Sequence, residues 1–476
     1  MRSLIGWLFD SKCGGRAAGF ALLGAAVLLA PESRADDGKL GPTDPIAGWT
    51  DGTPYLRSPG NNFVLFPSGR LQIDGYGFVR PTDDMPHDSL LLRRARLELN
   101  GWIGSWVYFS IAGDFASGAP AAADPAPQTW IATTDNYVGL APLGDRVILQ
   151  AGQFDAPFTL ENRTSDKYFD FMERSLTVRT FGIPSNKEVG MMVHGLPLAN
   201  KGLYYSVGVF NGDGQNFRNV DDNFDVMARA WVAPFAFTEI DALKSVTFGG
   251  SVWTGKRGST GLALNTQSTQ GGFAFLSPKW TLADGKTSAE MHQIGDITAY
   301  ALEANVPVAH RFGLRFELVH KSQGIEEDDI SAASSGKLTP LGKGTLEGTS
   351  FYGEAWGWLI GDDRIIGEPG LQMPTRLKKL ADPTPQHGLM VAARIEDLQE
   401  KITTDTPALN NPNVGTIHVI APELGVNYWY SKRFRATFNY AVNLFQGDTA
   451  NIAKAKEKNG GGAGEHELMF RLGIAL

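Results

Sequence analysis

The segment Leu92-Arg93-Arg94-Ala95-Arg96-Leu97 holds the most chemically pointed spacing in the chain. Successive side chains of a strand point to opposite faces. Arg94, Arg96, Glu98 and Asn100 therefore share one face, and Ala95, Leu97, Leu99 and Gly101 share the other. Guanidiniums offer a rigid fork of donors that matches oxyanions. Set around a water-filled passage, such residues favour anions. The same spacing also serves a ladder of ion pairs with Glu98 and Asp114 that braces a wall, and the residues alone leave both readings open. Arg93 is expected at the strand end, near a rim.

A second group lies between residues 152 and 190. It begins Gly152-Gln153-Phe154-Asp155-Ala156-Pro157-Phe158-Thr159-Leu160-Glu161 and continues through Phe171-Met172-Glu173-Arg174-Ser175-Leu176. The segment is too long for a turn and too apolar to extend into water, and long ordered loops tend to be functional. It is expected to fold into a lumen and narrow it; a mixed-charge external loop is the alternative. It carries Arg163, Lys167, Arg174, Arg179 and Lys187 against Glu161, Asp166, Asp170 and Glu173, which leaves the sign of its field open. Arg229, opposite Val226, Ala228 and Ala230, and Arg471, in the last strand, are further lumen candidates. The residues expected to contact a solute are Arg94, Arg96, Arg163, Lys167, Arg174, Arg229 and Arg471.

Strands must position these residues. Leu71, Ile73, Gly75, Gly77 and Val79 alternate with Gln72, Asp74, Tyr76 and Phe78; Val107, Phe109, Ile111 and Gly113 alternate with Tyr108, Ser110, Ala112 and Asp114. Phe434, Ala436, Phe438, Tyr440, Val442 and Leu444 repeat the pattern near the end. One face is apolar and the other carries charges and amides, which is the apolar-out, polar-in pattern of a membrane barrel. The terminal run from Leu468 to Leu476 puts Leu468, Phe470, Leu472, Ile474 and Leu476 on one face. Such an edge is a liability in water and natural where a barrel closes on its first strand. Tight links are expected at Gly104-Ser105, Ala309-His310-Arg311 and Ser431-Lys432. Longer ones run through 116–128, 155–186, 211–223, 255–296, 323–346, 362–386 and 399–415. About 17 strand candidates reduce to roughly 16, an even count, if 271–280 is a loop piece. The fold class is an all-β transmembrane antiparallel barrel with an inward-folded constriction loop.

Residues 1–35 read as a signal peptide. Arg2, Lys12 and Arg16 precede the apolar run Ala17–Ala30, and Ser33-Arg34-Ala35 offers a small-x-small cleavage site. The run is short for a membrane-crossing helix, which needs roughly 20 residues. Residues 36–66, rich in Gly, Pro and Asp, read as a leader, and 67–476 as the barrel. Cys13 is the only cysteine, so the exported chain has neither disulfides nor cysteine metal sites. Export would leave 39 basic against 49 acidic residues, which argues against a nucleic-acid partner. No cofactor or metal is expected.

The chain resembles the phosphate-selective porin O/P family of bacterial outer membranes. The resemblance rests on Gly69-Arg70-Leu71-Gln72-Ile73-Asp74, Arg93-Arg94-Ala95-Arg96-Leu97, Gly152-Gln153-Phe154 with Pro157-Phe158 and Leu160-Glu161, and Phe171-Met172-Glu173-Arg174-Ser175-Leu176. Gly208-Val209-Phe210-Asn211-Gly212 and Arg229 before Pro234-Phe235 extend it. It spans about residues 66–240, with the closing strand added. It implies a 16-stranded barrel in the outer membrane, a homotrimer in contact with outer-membrane lipid, an inward loop after the fifth strand, and passive uptake of inorganic anions such as phosphate past basic lumen residues. The chain departs from that picture in the balanced charge of its loop and in ending at Leu476, where such barrels commonly end in an aromatic residue.

A general, non-specific diffusion porin is the nearest alternative function. A barrel enzyme would need a Ser–His pair with an orienting partner, whereas His194, His320 and His418 are scattered and sit in no such motif. A soluble all-β binding protein would not need charged and amide residues on one face of so many strands.

Overall fold

The computed structural model describes residues 41–50, 53–79, 87–116, 131–198, 200–258, 262–331, 338–377, 387–406, 409–458 and 464–475. The signal-peptide segment and Leu476 lie outside the described residues.

Sixteen antiparallel strands close into one barrel. They are β1 (Phe63–Phe78), β2 (Ser89–Ile103), β3 (Val107–Asp114), β4 (Asn136–Leu140), β5 (Ile148–Asp155), β6 (Lys187–Gly195), β7 (Leu203–Phe210) and β8 (Asp225–Val232). The second half comprises β9 (Thr247–Arg257), β10 (Ser288–Val308), β11 (Phe312–Asp329), β12 (Thr339–Ile360), β13 (Gly388–Thr404), β14 (Gly415–Ser431), β15 (Phe434–Gly447) and β16 (Gly464–Ala475). Each pairs with the next, and β16 returns to β1 with Arg471 opposite Asp74 and Leu472 opposite Ile73. Closure leaves no open edge among these sixteen strands, which satisfies the backbone polar groups of the wall in lipid.

The outward face is apolar, as the alternation predicts: Leu97, Ile111, Val138, Leu302, Leu314, Leu424, Phe438 and Phe470 are all exposed. The first barrel strand begins at Phe63, and a hairpin of Ala47–Thr50 and Thr53–Arg57 joins its first residues. Residues 274–276 and 279–281 are short strands outside the sixteen, so 271–280 is a loop piece as expected.

Three expectations need correction. Residues placed in the links 255–296 and 323–346 are partly strand, because β10, β11 and β12 pair out to Ala289–Asp329 and Asp329–Thr339. Beyond the apolar belt both faces of a strand can be polar, as in Glu326-Glu327-Asp328-Asp329, and the two-residue signal disappears. The link after β12 does not join the long loops: it lies at the end of the barrel where the tight turns 309–311 and 432–433 connect even-numbered to odd-numbered strands. Finally, the lumen is not polar throughout. Phe158, Phe181, Trp253, Phe275 and Phe445 form an apolar core within it. Burying each such side chain stabilises by about 1.5–3 kcal/mol, and this fill holds the inner loops against the wall.

Candidate functional site: the lumen passage

The loop of residues 156–186 crosses the lumen. Its base is set by the last pair of β5 and β6, Asp155 opposite Lys187, with Oδ1 and Nζ 2.7 Å apart. Wall side chains then accept its main-chain N–H groups. Glu317 of β11 takes those of Leu160 and of Glu161 (3.0 Å), Ser251 of β9 takes that of Thr159 (3.1 Å), and Asn439 of β15 takes that of Met172 (3.1 Å). A short helix, α1 (Leu176–Phe181), is capped by Ser175, whose Oγ accepts from Val178 N and donates to Glu161 at 2.6 Å. Polar side chains of the wall thus satisfy irregular backbone that would otherwise lie buried without partners.

This anchoring sorts the loop's charges. Asp170 turns to the far wall, 2.7 Å from Arg315, and Glu161 turns toward Ser175 and Arg394. Arg163, Lys167 and Arg174 turn the other way and line a cavity of about 650 Å³ between the loop and β1–β5. Among the described residues, ten basic side chains line this cavity against five acidic ones. The sequence leaves the sign of the loop's field open; geometry makes the cavity predominantly basic.

Of the seven candidates, Arg94, Arg96, Arg163, Lys167 and Arg174 line the cavity. Arg94 Nε lies 2.8 Å from Asp166 Oδ2, and Arg96 Nη2 lies 3.1 Å from Asp114. Lys167 Nζ lies 3.1 Å from Glu98. Arg163 and Arg174 are held differently. Arg163 donates to the main-chain oxygen of Asp155 and its Nε is buried without a hydrogen-bond partner. Arg174 donates to the carbonyls of Glu161 and Thr164, each at 3.4 Å, and stacks 4.7 Å above Phe169. Both are held by neutral groups, and among the described residues neither has a carboxylate within ion-pair distance. Arg229 and Arg471 face inward but do not line this cavity. Arg229 forms a forked pair with Glu303 at 2.7 and 2.8 Å, and Arg471 pairs with Asp74 at 2.6 Å.

Arg93 is not at the rim. Gln72 pairs with Arg94 and Ile73 with Leu92, so Arg93 is an extra residue, a β-bulge in β2. A bulge re-aims the chain locally. Arg93 turns inward beside Arg94 and its Nε lies 3.0 Å from Glu173, while Leu90, Leu92 and Leu97 stay on the lipid face. Burial pushes the Glu173 carboxyl up, but the guanidiniums of Arg93, Arg94 and Arg471 outweigh it and hold the group well below the usual carboxylate range. Burial lowers the Lys167 ammonium, and Glu98 only partly restores it.

A second inward segment comes from the opposite end. Residues 371–375, in the link after β12, line the cavity; Gln372 donates to Asp155 at 2.5 Å, and the Thr375 carbonyl accepts from Trp102 Nε1 at 2.7 Å. Arg376 stacks 4.0 Å above the Trp102 ring. Sequence reasoning missed this segment, and it missed Arg70 and Lys187 as cavity residues. The parity of Arg70 with Gln72 and Asp74 was the available signal for the first. Nothing in residues 362–377 signals that they enter a lumen.

A closed sixteen-stranded barrel, narrowed by a loop after its fifth strand, has the geometry of a diffusion channel. Residues 68–268 match the family phosphate-selective porin O and P. The matched stretch contains the arginine segment of β2, the inward loop and β6–β9. OmpT of Vibrio cholerae, expressed in the outer membrane, is similar at 8% identity over 89% of this chain and 100% of its own, with a TM-score of 0.49. The anion-selective porin from Comamonas acidovorans is similar at 10% identity over 87% and 100%, with a TM-score of 0.46. The outer membrane channel DcaP of Acinetobacter baumannii is similar at 10% identity over 87% and 98%, also with a TM-score of 0.46. No curated protein matches the chain.

Proposed function

We propose that the protein is an anion-preferring porin of the bacterial outer membrane, exported by a signal peptide at residues 1–35, that admits small inorganic anions, phosphate among them, by passive diffusion. The observation that carries this reading is the two-to-one excess of basic over acidic side chains around the passage. Rings and clusters of Arg and Lys lower the energy of an anion in a narrow pore and raise that of a cation. Arg163 and Arg174 contribute most directly, since main-chain carbonyls hold them. Arg94, Arg96 and Lys167 add to the field while bracing the wall. Arg229 and Arg471 act through the architecture, by fixing the segment at Gly370 and the loop at Met172 and Glu173. A homotrimer embedded in outer-membrane lipid goes with this reading.

A general diffusion porin is the second reading. It draws on the fact that Arg70, Arg94 and Arg96 all have carboxylates within ion-pair distance, which weakens the field they present to a passing ion.

The test is the reversal potential of the purified protein in a planar bilayer under a potassium chloride gradient, repeated with phosphate. Anion selectivity with phosphate block of the chloride current supports the first reading. A channel without anion preference leaves the second.

A further inference from the structure

Asp166 occupies an unusual position. It sits in the turn Ser165–Tyr168, closed by the hydrogen bond from Tyr168 N to Ser165 O at 3.0 Å. Three guanidiniums from two neighbouring strands converge on its carboxylate. Arg94 Nε lies 2.8 Å from Oδ2, Arg96 Nη1 lies 3.8 Å from the same oxygen, and Arg70 Nη1 contacts Oδ1. Arg70, Arg94, Arg96 and Asp166 all border the cavity.

The arrangement is that of a ligand in a binding site, except that the ligand is part of the chain. A side chain needed only to fasten the turn would require one such partner. The loop is already fastened to the far wall through Leu160, Glu161 and Asp170. We propose that Asp166 is a tethered stand-in for a small oxyanion: the cradle of Arg70, Arg94 and Arg96 takes a carboxylate or phosphate group from solution in exchange with the Asp166 carboxylate. This rests on the anion-preferring reading above.

Charge and shape both fit the exchange. Without Asp166, the cradle and the adjacent Lys167 carry four positive charges against the two negative charges of Glu98 and Asp114, so one singly charged oxyanion returns the cluster to the net charge it has with Asp166 in place. Its oxygens match the guanidinium forks, whereas chloride offers no second acceptor. A tethered competitor has a high effective concentration at its own site, of millimolar order for a short flexible link, and lowers the apparent affinity of a free ligand accordingly. The site is therefore self-occupied at low solute concentration and yields to solute when it is abundant.

The experiment titrates the chloride current of the reconstituted barrel with inorganic phosphate and with acetate. Wild type, Asp166→Asn and Asp166→Glu are compared after each has shown heat-modifiable mobility. The expected result is a half-blocking concentration at least about tenfold lower in Asp166→Asn, with Asp166→Glu close to wild type. An unchanged or weaker block in Asp166→Asn, from a wild type that is anion-selective, overturns the proposal. A wild type without anion selectivity overturns the parent reading instead. Should Asp166→Asn fail to assemble, crystals of wild type grown in phosphate decide. Phosphate oxygens between the three arginines with Asp166 displaced support the exchange; Asp166 still seated at saturating phosphate overturns it.

Discussion

Glu173, in the loop that crosses the lumen, lies 2.8 Å from Arg471 of the closing strand, and Arg471 in turn lies 2.6 Å from Asp74 of the first strand. One guanidinium thus joins the seam of the barrel to its constriction. Asp74 is fully buried and Arg471 nearly so. Removing one partner of a buried pair costs roughly 3–5 kcal/mol, because the other is left charged and unpaired. Arg471→Ala is expected to lower the temperature at which the barrel loses its folded gel mobility and to increase open-channel noise. An Arg471→Ala barrel that melts with wild type would show that the seam does not depend on this pair.

The glutamate that clamps the loop makes a second prediction. Glu317 accepts from the main chain of Leu160 and Glu161 and from the Tyr352 hydroxyl at 2.9 Å. Each donor left without an acceptor costs about 1–3 kcal/mol. Glu317→Ala is expected to free the start of the loop while the strands stay paired. Single-channel recording should show larger and noisier conductance from a barrel that still assembles. A quiet, wild-type conductance would mean that the apolar fill alone holds the loop.

Neutralising Arg94 and Arg96 together tests the basic wall. A unit charge 4 Å from a permeating ion is worth about 1 kcal/mol even in water, or roughly fivefold in partitioning. The double change to Gln is expected to move the reversal potential several-fold toward cation permeability. An unmoved potential would assign selectivity to other residues, with Arg163 and Arg174 next to be replaced.

Gly152 of the Gly152-Gln153-Phe154 motif has φ +133, where side chains are strained, and a Cβ there would come within 2.4 Å of the Asn136 carbonyl oxygen. Gly152→Ala is expected to cost roughly 1–3 kcal/mol, read as a lower melting temperature of the barrel. A melting temperature equal to wild type would show that β4 and β5 can shift to admit a methyl group.

Much of this molecule is legible without coordinates. Leu71–Val79, Arg94–Ile103 and Phe434–Leu444 carry the two-residue alternation that separates lipid from lumen, and the loop after the fifth strand is recognisable from its length and apolar content. The position of Arg93 was not legible. An inserted residue changes the parity of a strand, and that shows only against the partner that pairs across it. The inward turn of residues 371–375 was not legible either, because its anchors, Trp102 and Asp155, lie more than two hundred residues away.

The sequence by itself determined the barrel, because side-chain alternation is a local property that the membrane reads strand by strand. It also determined which residues could carry charge into the lumen. Only the tertiary structure decided which of them face the passage. Asp170 is drawn to Arg315 on the far wall, while Arg163, Lys167 and Arg174 turn to the cavity. An irregular loop has no period to fix its faces. Its side chains go where distant carboxylates, guanidiniums and aromatic rings satisfy them, and those partners meet only when the barrel closes.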